Sequence, residues 1–178
     1  MIGAYKDYFR DCAIRHKKIK HDPASEGNGG VVAKRKFESF NMDEVAKSLR
    51  SSVGDGIVLF LHMYDWSPED NGAFDTKAVY TGGFMVTMKA AVNNSGSEEI
   101  AYVETEQVAW DIIGKMYGDF QTSEEKCMNA LGMVNWNSIK VTSTGQLWDN
   151  RFGWWVEFNF TKSVNHLLSE DSVTNAFD

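Results

Sequence analysis

Cysteine is scarce in this chain: two among 178 residues, Cys12 and Cys127, far apart and without partner spacing. A disulfide framework needs more, so both read as small buried hydrophobes in a reducing setting. Long apolar runs are missing as well. No stretch approaches 18 uncharged apolar residues, so no membrane-spanning helix and no membrane partner are expected. The opening MIGAYKDYFRDC has no basic region followed by an apolar run and does not read as a signal peptide. Positive charge is in deficit: 18 Lys and Arg stand against 25 Asp and Glu, giving a net charge of −7 and a pI near 5.1. Nucleic-acid-binding proteins usually carry a basic face, and this balance is the reverse, so sequence-specific nucleic acid binding is not expected.

Motifs that carry chemistry are lacking too. His62 and Asp65 are three apart on a strand, which points them to opposite faces and denies them a shared metal. His16 and His21 lie near a helix end and His166 in the C-terminal tail, none with a second ligand at metal spacing. Carboxylate pairs occur in SPED, SEEI and SEEK, but two of the three open a helix, where negative charge complements the dipole. The glycine-rich GNGG and TGG lack the strand and helix context of a phosphate loop, and no G-x-S-x-G elbow occurs. No catalytic, cofactor-binding or metal residue is assigned. An enzyme is not expected.

What is present is a globular composition, 43% hydrophobic and 24% charged. Area scaling at this length buries about 70% of the unfolded surface, enough for a core without disulfides or metals. The chain reads as one domain over 1–178: a core of about 36–162, a helical extension over 1–35 and a tail over 163–178. Ile2, Tyr5, Phe9, Cys12, His16 and Ile19 form one helical stripe over about 2–20. Its end, RHKKIKH, reads either as cations at a helix C-terminus or as a contact point for an acidic partner or phosphate. DPASEGNGG is a loop. Asn41 and Glu44 cap a second helix whose apolar face holds Met42, Val45, Ala46 and Leu49.

GIVLFLHMYDW, residues 56–66, is apolar on both faces and reads as a central strand. A long polar loop over 67–76 leads to a strand over 78–92, in which Gly82-Gly83 marks a bulge or a close backbone approach. Ser95 with Glu98 opens a long helix over about 98–120. Ala101, Val108, Ile112 and Met116 line its apolar face, and Trp110, Ile113, Tyr117 and Phe120 widen it. A short helix opens at Thr122 with Glu125 and closes at Gly132; two strands follow, with a tight turn at Asp149-Asn150. No internal repeat and no low-complexity segment interrupts this order. The expected fold is α+β: a mostly antiparallel sheet of four strands or slightly more, packed against the long helix and the N-terminal helices.

The last strand, RFGWWVEFNFT, sets Phe152, Trp154, Val156, Phe158 and Phe160 on one side and Gly153, Trp155, Glu157, Asn159 and Thr161 on the other. Large apolar groups on both faces need cover on both faces. Trp154 and Trp110 are expected in the core, with Trp155 facing a partner chain, since aromatics are enriched in interfaces. An exposed aromatic face that stacks on sugars is the alternative. Trp155, Trp66, Trp148 and the loop residues Asp70 and Phe74 are the interface candidates.

This order of elements, closing on a turn at Asp149-Asn150, Gly153 and the alternation from Trp154 to Phe160, resembles the tail-terminator and head–tail joining (neck) proteins of tailed bacteriophages over about 36–162. The resemblance implies a structural virion protein of the tail or neck, assembled in the host cytoplasm, that forms a six-fold or twelve-fold homo-oligomeric ring touching the tail tube and the head connector or portal. Another tail or baseplate component, or a sugar-directed binding module, is the alternative. DNA would pass a ring of acidic subunits without adhering, since phosphate binding needs cationic contacts.

Overall fold

The computed structural model describes residues 2–26, 37–40, 56–70 and 76–164. Among them are three α-helices, α1 (Ile2–Arg15), α2 (Ser95–Gln121) and α3 (Glu125–Leu131). Five strands, β1 (Phe37–Phe40), β2 (Val58–Asp70), β3 (Thr76–Lys89), β4 (Met133–Ser143) and β5 (Arg151–Ser163), form one sheet in the order β1-β2-β3-β5-β4. All neighbours are antiparallel except β1 and β2. The fold is α+β, with a sheet one strand larger than four. The second helix expected from Asn41 and the 163–178 tail beyond Val164 lie outside the described residues.

The β3–β5 ladder is the spine. It runs without a register break from Lys77 opposite Ser163 to Lys89 opposite Arg151. Because side chains alternate, this pairing gathers Phe84, Val86, Val156, Phe158 and Phe160 on one face, with Leu59 and Leu61 of β2. Tyr5, Phe9 and Cys12 of α1 and Val108, Ile112 and Met116 of α2 close over them in one core cluster. A smaller cluster on the opposite face holds Val58, Phe60 and Met85, with Leu147, Trp148 and Trp155 packed against it.

Two glycines are sterically required. At Gly153 an added Cβ would lie 1.9 Å from the Val86 carbonyl oxygen, so β3 and β5 approach there as only glycine permits. Gly132 ends α3 at φ 56°, a left-handed conformation that glycine adopts without strain. The glycines at 82 and 83 serve the close-approach reading. The Tyr5 hydroxyl fills the space a Gly82 side chain would take, accepting from the Gly83 N–H at 3.1 Å. The register shift itself falls on β2, between His62 and Asp65, opposite these glycines.

Several boundaries differ from the sequence reading. The stretch 67–76 is not one long loop: Ser67 to Asp70 continue β2, paired with Val79 to Thr76. Pro68 is tolerated in the strand because β1 pairs with β2 only from Leu59 to His62, which leaves this stretch an edge among the described residues, with Ser67, Pro68 and Glu69 exposed. The helix α2 is capped by Asn94, whose side chain accepts from the Ser97 N–H at 3.0 Å, one residue before Ser95. Thr122 closes α2 rather than opening α3. The first helix stops at Arg15; Ile19 still reaches the core through a turn that uses a positive φ at Lys20. The strand β1 had no sequence reading, being four residues long.

Replacing Gly153 with alanine is expected to cost at least about 3 kcal/mol in chemical denaturation, since β5 must part from β3. Gly114→Ala, on exposed helix with open space around it, is expected to stabilise by about 0.5–1 kcal/mol in the same assay.

Candidate functional site

The sequence candidates divide between two places. Trp155 stands on the sheet face opposite the helices, paired with Met85 and lying beside Gly83, with the His62 ring 5.3 Å away and edge-on. Trp148, in a 3-10 turn over 148–150, meets Phe60 edge-on at 5.6 Å. Both are partly buried among neighbours of their own chain. Trp154 points the other way, donating its indole N–H to the Tyr102 carbonyl at 3.0 Å against the main core. Far from these, Trp66 is 63% exposed on the outer half of β2, which ends at Asp70. Phe74 lies outside the described residues.

The largest departure is on α2. Its buried line is Ala101, Thr105, Val108, Ala109, Ile112, Ile113 and Met116. Trp110 and Tyr117, expected to widen this face, are 54% and 51% exposed. Two residues beyond Val108 is about 200° around a helix, so Trp110 points away from the core. Ile100 and Val103 join it on the outside, at 57% and 60% exposure. The signal was in the spacing: 103, 110 and 117 recur every seven residues, a second apolar stripe opposite the first.

Beside this stripe lies a cleft of about 390 Å³ between the end of α1 and α2, floored by Cys12 and Ile112. Arg15, Lys17, Lys18 and Lys115 supply its cations. Lys18 meets Glu104 at 2.7 Å, Arg15 meets Asp11 at 3.0 Å and Lys115 meets Asp119 at 2.8 Å. His16 and Asp111 are 3.2 Å apart at the rim. Burial works to raise the Asp111 carboxyl, but hydrogen bonds from Gln107 and His16 outweigh it and hold the pKa below the usual carboxylate range. Burial likewise opposes charge on Lys115, and the bond to Asp119 more than offsets it, so its pKa rises.

Under the cleft, Tyr8 donates its hydroxyl to Asp119 at 2.8 Å. Burial raises the Cys12 thiol to about 12, with Lys115 partly opposing, and raises Cys127 as well. Neither thiol is poised as a nucleophile, because the attacking species is the thiolate. Among the described residues no group of three or more His, Cys, Asp or Glu is arranged to hold a metal ion, and no described helix is long and apolar enough to cross a membrane. The surface offers apolar area and cations side by side, which suits recognition.

Both thiols are expected to resist iodoacetamide at pH 8 in the native protein and to react on unfolding. A folded pKa above the unfolded one means that the native state keeps a proton the unfolded state has lost. Stability is therefore expected to fall as pH rises from about 9 toward 12, with a shallower slope in Cys12→Ala, read from denaturation midpoints.

Comparison with protein-family models, curated proteins and solved structures returned no match to this chain.

Proposed function

We propose that this chain is a structural subunit of a closed homo-oligomeric ring, a tail terminator or neck protein at the tail–head junction of a tailed bacteriophage. The observation that carries the assembly reading is the outer stripe of α2. Ile100, Val103, Trp110 and Tyr117 are each more than half exposed along a single helix face. Large apolar side chains that recur exposed on one helix face suit a surface that a partner covers, and tryptophan and tyrosine are the residues on which interface energy concentrates. The phage assignment rests on the resemblance in element order and in the alternating last strand, and the acidic balance of the chain suits a channel that passes DNA.

The exposed Trp66 on the β2–β3 hairpin gives a second apolar contact on a different part of the molecule. Two different patches allow a head-to-tail contact, the kind that closes into a ring when its rotation permits. Ring proteins need no reaction centre, and the paired or raised titratable groups around the cleft fit a binding role.

Size-exclusion chromatography with light scattering, followed by negative-stain imaging, is expected to show a ring of about six or twelve subunits, or assembly on addition of tail tube. Trp110→Glu is expected to weaken assembly at least tenfold, a loss of about 1.4 kcal/mol or more, while leaving circular dichroism unchanged. A protein that stays monomeric beside its tube and binds glycans on an array would support the sugar-directed reading instead.

A further inference from the structure

We infer that copies of this chain set their α2 helices side by side and parallel, the carboxylate flank of one lying across the mouth of the cationic cleft of the next. The inference rests on the assembly reading above and names the contact that builds it. Around α2, Trp110 divides two flanks of opposite character. Asp111 and Lys115 stand about 100° and 140° from it on one side, where the cleft collects Arg15, Lys17 and Lys18. Glu99 and Glu106 stand about 20° and 40° from it on the other side. Both are exposed, and Val103 and Trp110 lie with them inside an arc of about 60°. One surface of the helix thus carries the indole and two carboxylates in the same direction.

Charge selects the parallel order. In that order one flank of a helix meets the opposite flank of its neighbour, so Glu99 and Glu106 face cations. Antiparallel order sets like flanks together, acid on acid and cleft on cleft, which like charge opposes. Height agrees with this. Lys18 meets Glu104 and His16 meets Asp111, so the basic turn lies beside residues 104–111 of α2. Glu106 of a parallel neighbour at the same level falls within that span, and Glu99 lies about 10 Å before it. Room for the indole is present too. Gly114 and Gly118 lie about 40° and 80° from Trp110 toward the cleft, and a Cβ added at either would meet no atom within 4 Å. Glycine destabilises a helix interior relative to alanine, and these two leave a seat where a neighbour's Trp110 packs close to the backbone. The ion pairs of Arg15 with Asp11 and of Lys18 with Glu104 are at the surface, where such pairs contribute little, so both cations remain available to incoming carboxylates. Donor and acceptor flanks differ, and repetition of the contact runs head to tail.

Charge reversal tests this. Glu99→Lys with Glu106→Lys reverses the flank; Arg15→Glu with Lys17→Glu reverses the cleft. Each variant alone is expected to lose self-association at least about tenfold by light scattering, because its like charges meet. An equal mixture of the two restores every contact, lysine flank on glutamate cleft and glutamate flank on intact cleft, and is expected to assemble within about threefold of the unaltered protein. Circular dichroism checks that each variant is folded. Reversed variants that assemble alone as well as the unaltered chain, or a mixture that recovers nothing, overturn this contact and leave the ring reading standing. An unaltered chain that stops at a dimer, or is monomeric at every concentration with and without tail tube, overturns both.

Discussion

The rest of the molecule depends on the β3–β5 ladder. Thirteen residues of each strand pair in one unbroken register, and a shift of one residue would exchange the two faces of β5 entirely. Gly153 pins that register, since its backbone lies where any side chain would strike the Val86 carbonyl. With the register held, Trp154 reaches Tyr102 on α2 and Trp155 reaches His62 on β2. Both tryptophans follow from one pairing.

Helix placement follows from the same face. The aromatic series Phe84, Phe158 and Phe160 receives Phe9 and Tyr5 of α1, with Tyr5 stacked on Phe160 at 5.8 Å. The first helix occupies one half of the sheet and α2 takes the other. Each covers the sheet with a single stripe, but α2 carries two. Of its second stripe, Tyr117 meets Trp136 of β4 edge-on at 5.1 Å, while Ile100, Val103 and Trp110 are more than half exposed.

The junction of α1, α2 and α3 is polar by contrast. Tyr8, Lys115 and Asp119 form a hydrogen-bonded group beside two buried thiols. The carboxylate accepts from both partners, which is how a half-buried charge is kept at low cost. That arrangement anchors the N-terminal helix and places the cations of RHKKIKH beside α2.

Local patterns in the sequence determined the α+β class, the long helix, the two aromatic faces of the last strand and the turn at Asp149-Asn150, because period-two and period-3.6 spacing and turn chemistry are short-range properties. Trp66, an interface candidate from the sequence, stands exposed on β2. Only the tertiary structure decided which stripe of α2 the sheet would cover. Trp110 is as apolar as any residue in the core, and its outward direction depends on where the sheet sits. The cleft was equally hidden, since His16 and Asp111 are 95 residues apart and meet only when α1 and α2 pack side by side. Strand order and the parallel pairing of β1 arise from long-range hydrogen bonding, and spacing along a chain does not record it.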